Sequence, residues 1–144
     1  MGFFSDRFKK GENPLPTCLD DEIGILKWSK DDEAWVGEYA KKRFALAYDR
    51  KSTPAPELIS YAREVLQDQA WLESSLLAAK EQALKEYPSA FHEEIQQLTW
   101  DRIDFYSYKG VQRILASLYC GHDEGRTWRI EYLERKCEGI GFDD

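Results

Sequence analysis

The chain predicts an α+β fold: a mostly antiparallel sheet of about six strands, with a long amphipathic helix and a shorter helix packed on one face. Three observations carry this. Apolar and polar residues alternate with a period of two through much of residues 22–48, and again after Trp100. Between these blocks, residues 56–86 place apolar side chains three and four apart. Strands, then helices, then strands, with short polar turns inside each strand block, suit one antiparallel sheet covered on one side.

The first segment, MGFFSDRFKK, sets Phe3, Phe4 and Phe8 beside Arg7, Lys9 and Lys10, and the following GENPLP stops any helix through its glycine and prolines. Residues 1–19 therefore read as an arm and linker ahead of a single domain at 20–144. From Glu22, EIGILKWS, EAWVGEYA and RFALAYD alternate as strands do, separated by KDD and a tight KK, and read as three antiparallel strands. KSTPAP ends that block. Leu58, Ala62, Val65, Leu72, Leu76, Ala79 and Ala83 form the stripe of a long helix, bent near Gln67-Asp68-Gln69. Tyr87-Pro88 closes it, and Ser89 is placed to cap a shorter helix through EEIQQL. RIDFYSYK, VQRILASLYC and RTWRIEYLE return to the strand period, turned by Gly110 and by DEGR, and a short last strand runs through Ile140 and Phe142.

A length of 144 residues fits one domain, and 42% hydrophobic residues supply a packed core despite 33% charged ones. No apolar run approaches the roughly 20 residues that span a bilayer, so a cytoplasmic location is the expectation. The formal charge of −7 repels nucleic-acid phosphates and anionic lipids. It suits a basic protein partner, whose encounter it would speed.

The stretch YCGHDEGRTWRIEYLERKCEG holds Cys120, His122 and Cys137. A structural zinc site needs about four ligands and usually spaces its sulfurs as close pairs; this stretch has no CxxC and no HxxxH, and Cys18 is remote in sequence. Cys120 and His122, two apart on a strand, could share a side, as a thiol nucleophile and its base must. No helix start or family signature stands beside them to lower the thiol pKa. The simpler reading makes Cys120 a small buried strand residue and His122 a turn residue. No phosphate-binding glycine loop and no calcium-loop pattern is present, and neither metal nor cofactor is expected.

Carboxylates gather in turns, at Asp31, Asp32 and Glu33 and at Asp123 and Glu124, and these are the expected partner-facing charges. Of the five tryptophans, Trp28, Trp35 and Trp128 fall on core positions of strand patterns, while Trp71 and Trp100 are the candidates for an aromatic anchor.

Ile23-Gly24 through Trp28, then Trp35 and Gly37, then Gly121-His122 and Gly139, in that order over roughly residues 21–141, resemble a family of small bacterial proteins classed as a domain of unknown function. In that pattern a glycine-and-tryptophan hairpin opens the domain and a Gly-His at a strand end leads into the last hairpin. The family has an aromatic pair before the Gly-His, where this chain has Tyr119-Cys120. The resemblance implies an α+β fold and no particular activity. In general character the chain is also similar to bacterial immunity proteins, which neutralise a toxin by binding it. The expectation is thus a non-enzymatic domain that occludes a basic toxin. A small enzyme or ligand-binding domain using Cys120 and His122, and a homodimer joined at a sheet edge or along the long helix, are the alternatives.

Overall fold

The computed structural model describes residues 16–47, 53–120 and 126–142; the arm through residue 15 and the turn residues His122, Asp123 and Glu124 lie outside them. Among the described residues, eight strands form one sheet in sequential order: β1 Thr17–Asp20, β2 Gly24–Ser29, β3 Ala34–Tyr39, β4 Lys42–Ala47, β5 Thr99–Tyr108, β6 Val111–Tyr119, β7 Trp128–Leu133 and β8 Lys136–Phe142. Every neighbouring pair is antiparallel except β4 and β5, which are parallel. The fold class is as expected, and the strand count is corrected from about six to eight. Thr17–Asp20, most of it within residues taken as linker, pairs with Gly24–Lys27 and is too short a run to show a period on its own. The short last strand expected through Ile140 and Phe142 is present and begins earlier, at Lys136, where glycine blurs the alternation.

The parallel step needs a crossover, and the helices supply it. The long helix of the sequence pattern is two: α1 Pro56–Leu66 and α2 Gln69–Glu86. Pro56 opens α1, where its missing N–H costs nothing. Asp68 caps α2 by accepting the backbone N–H of Trp71 at 3.1 Å, so Gln67-Asp68 separates two helices and is not a bend in one. Past Pro88 a single 3-10 turn, Ser89–Phe91, leads into the short α3, His92–Gln96.

All three helices bury their apolar stripe on one sheet face. Leu58, Ala62, Val65, Leu72, Leu76, Ala79, Ala83 and Ile95 meet Leu26, Trp28, Trp35, Phe44, Leu46, Ile103, Phe105, Ile114, Trp128 and Ile130 in one core. Trp28 and Trp35, directly paired across β2 and β3, meet edge to face at 5.6 Å. On the opposite sheet face no described helix packs; there Ala34, Ala45 and Ala47 form a small buried group with Val36 and Tyr106 beside it.

A buried ion pair ties the sheet edge to the helix layer. Asp20, 5% exposed, ends β1 and accepts the backbone N–H groups of Glu22 and Ile23, each at 3.0 Å. The Arg63 guanidinium of α1 grips the same carboxylate through both Nε and an Nη atom. That guanidinium, helped by the two backbone donors and opposed by burial, holds the Asp20 carboxyl down at about 2 against an ordinary 3.8. A folded-state pKa below the unfolded one adds stability that is complete above about pH 4 and is lost as the pH falls through 3.8 toward 2. Asp20→Asn should cost about 1–3 kcal/mol at pH 7, and the difference from the parent should shrink toward pH 2, as read by urea unfolding at several pH values.

Tight turns carry local strain of a different kind. The β3–β4 hairpin turns on Ala40 and Lys41 with φ of 50° and 66°. Two-residue hairpins of this hand favour Asn-Gly, because a side chain at positive φ crowds the backbone. The double change Ala40→Asn with Lys41→Gly should therefore raise stability by about 1 kcal/mol, measured as a higher denaturant midpoint with unchanged slope.

Candidate functional site

The residues singled out from sequence do not converge. Asp31, Asp32 and Glu33 sit exposed in the β2–β3 turn, next to the Ser29–Ala34 pair. That pair continues across the sheet through Ala47, and the neighbouring row runs from Leu46 through Phe105 to Ile114. The connection that holds Asp123 and Glu124 departs from the Leu118–Trp128 pair, four residues along β6 from Ile114, or about 13 Å at strand rise. The β2–β3 turn and the end of β6 from which that connection departs thus lie at opposite ends of the sheet. Asp32 is moreover engaged, accepting Ser29 Oγ at 3.0 Å and Arg102 Nη1 at 3.2 Å.

Both tryptophan candidates pack against the core. Trp71 lies against Tyr132 at 5.3 Å, and the chain's own Arg135 covers its ring at 5.3 Å while pairing with Asp68 at 2.6 Å. The cation expected from a partner is supplied from within. Trp100 is half-buried, with an indole N–H that has no acceptor.

The cysteines are also dispersed. Cys120 is 5% exposed in the core at one end of β6. Cys137 pairs with Tyr132, which pairs with Ile114, six residues from Cys120, or about 20 Å along the strand. Cys18 is on β1, the far edge of the sheet from β8. Burial raises the Cys137 thiol pKa, which disfavours the reactive thiolate. Among the described residues no three metal-binding side chains cluster.

Two other surfaces have the properties a site needs. The first is the outer side of the helix layer. Residues 56–96 hold eight acidic and three basic side chains, a net of −5 within the chain's −7. On α2, Glu73, Leu77 and Glu81 follow at steps of four and form one exposed ridge, and Leu77 is 59% exposed.

The second is a groove of about 740 Å³ on the helix-free sheet face, lined by Gly24, Ile25, Val36, Gly37 and Phe44 and by charged residues from β2 to β5 and the β2–β3 turn. It lies where the β2–β3 ladder, which pairs Lys27 with Val36, does not continue to Ile25 and Glu38. Gly37 lets the chain pack closely here: a Cβ there would stand 2.8 Å from the Phe44 ring and 3.1 Å from the Ile25 carbonyl oxygen. Arg102 is fixed at the rim by Asp104, at 2.5 and 3.1 Å, and by Asp32. Those bonds, the one to Asp104 foremost, raise its pKa further above the usual arginine value. Arg43 pairs with Asp101 at 2.9 Å. The signal for this groove was present in the sequence as alternate outward positions, Ile25, Lys27, Val36, Glu38 and Arg43, together with a glycine inside a strand.

The fold and these surfaces define an α+β protein with one helix-covered sheet face and, among the described residues, no helix on the other. No protein-family model, curated protein or solved structure matches the chain. No helix of the described residues is long and apolar enough to cross a membrane. Gly37→Val should destabilise the domain by about 1–3 kcal/mol, because Phe44 and the Ile25 backbone must move; thermal unfolding with intact far-ultraviolet dichroism would check it.

Proposed function

We propose that this chain is a non-enzymatic protein-binding domain that receives a basic partner on its helix layer, and that its role is to neutralise a toxin by occlusion, as bacterial immunity proteins do. The observation that carries the reading is the charge distribution: a net of −5 falls in residues 56–96, around a ridge where Leu77 stands exposed between Glu73 and Glu81. An apolar anchor ringed by like charges suits a desolvated contact with a steering rim. The docking surface is placed on the helices because they carry most of the net negative charge. Burial of Cys120 in the core supports binding over thiol chemistry.

The test is capture of partners by the tagged chain from its source organism, followed by titration of the recovered protein. A basic protein should bind the parent and lose at least tenfold in affinity to the triple variant Glu73→Lys, Leu77→Arg, Glu81→Lys. Its affinity for Asp31→Asn, Asp32→Asn, Glu33→Gln should stay within a few-fold of the parent. Equal binding by the helix-ridge variant would remove this surface from the reading, and recovery of acidic partners alone would remove the charge argument.

A further inference from the structure

The groove on the opposite sheet face stands apart from that reading and has the dimensions of a small-molecule site, since such pockets commonly enclose roughly 300–1,000 Å³. Its walls are mixed in a specific way. Ile25 and Val36 give an apolar body on this face, and the backbone of Gly37 with the buried Phe44 beneath it closes the floor. Two charges of opposite sign line it, Lys27 on β2 and Glu38 on β3. Lys27 pairs with Val36 in the last pair of the ladder, and Glu38, two residues beyond Val36, lies on the same face of β3. Among the described residues neither side chain makes an ion pair or hydrogen bond, with the other or with anything else. The surrounding charges do: Arg43 with Asp101, and Arg102 with Asp104 and Asp32.

Donor accounting sharpens the cationic side. A guanidinium has five N–H donors. Asp104 takes Nε and Nη2 of Arg102, and Asp32 takes Nη1. One donor remains on each Nη nitrogen, held in place by the two carboxylates, and Arg102 lines the groove. Lys27 and those two donors offer a carboxylate its partners, and Glu38 offers an ammonium its partner. A simple anion or a simple cation would satisfy only half of this arrangement and would face repulsion from the other half.

We propose that this groove binds a small zwitterion with an apolar body, of the amino-acid or dipeptide kind, whose carboxylate meets Lys27 and Arg102 and whose ammonium meets Glu38. The apolar side chains of the ligand cover Ile25 and Val36.

The dipeptide leucyl-leucine is the probe, against its N-acetyl form, which lacks the ammonium, and its C-terminal amide, which lacks the carboxylate. Binding is read by calorimetry, and backbone amide shifts in nuclear magnetic resonance report its location. The free dipeptide should bind saturably, shift the amides of β2 and β3, and outbind both blocked forms at least tenfold. Lys27→Met should weaken the free dipeptide and the N-acetyl form alike while leaving the amide unchanged. Glu38→Gln should weaken the free dipeptide and the amide while leaving the N-acetyl form unchanged. Val36→Trp, on the solvent side of the sheet, should fill the groove and abolish binding of all three with little change in melting temperature. No saturable binding at millimolar dipeptide, equal binding of the three forms, or shifts confined to the helix layer would each overturn the proposal. None of these outcomes bears on the partner surface of the helices, which is tested by other residues.

Discussion

One constraint organises this molecule: β5 must lie parallel to β4 in a sheet where every other neighbouring pair is antiparallel. An antiparallel neighbour can be reached by a two-residue turn, but a parallel one requires the chain to return to the end from which it set out. Residues 56–96 make that return as helices, and a helical return must pass over one face. The apolar stripe of α1 and α2 then meets the apolar sides of all the central strands, and the core follows. The same step puts the described helices on one face, so among the described residues the groove and the acidic helix layer lie on opposite sides of the sheet.

The contacts that hold the layers in register are polar and sit at the margins of the core. Asp20 and Arg63 fasten β1 to α1. Lys42 on β4 reaches Gln69 at 2.8 Å, and Lys80 on α2 donates to the carbonyls of Gln96 and Leu98 at 2.7 and 3.1 Å. Ser75 and Tyr132 meet at 3.0 Å between α2 and β7. Each pairs a polar group that the apolar layers would otherwise strand. Arg135 performs the same task on Trp71, and this is why an aromatic that looked available to a partner is not.

Much of the fold was legible because periodicity reports which side of an element is buried. Trp28, Trp35 and Trp128 were placed in the core from strand alternation alone, and the helix stripe from Leu58 to Ala83 matches the buried residues of α1 and α2. The first edge strand was not legible, because Thr17–Asp20 is four residues long, and of the last only the end at Ile140 and Phe142 was read, because Gly139 and Gly141 blur its alternation. The site was less legible still. The acidic β2–β3 turn could be read, but its position relative to the other strand connections depends on strand order, which alternation does not encode. Trp71 depends on Arg135, and the two are 64 residues apart in sequence. The groove depends on a ladder that stops after Lys27 and Val36, a feature of sheet twist and of one glycine that leaves only a faint mark in the sequence.

The sequential strand order has a kinetic meaning. Of the seven strand pairings among the described residues, six join neighbours through short connections, while the β4–β5 pairing unites Phe44 with Ile103, 59 residues away. The chain therefore divides into two locally paired meanders whose union requires a single large loop to close. Loop entropy rises only slowly with length, but that closure comes before the central core contacts that reward it. Local pairing alone can build two half-sheets, each with an unpaired inner edge at β4 or β5. Those edges are also where it is most open to pairing with another chain before it is complete.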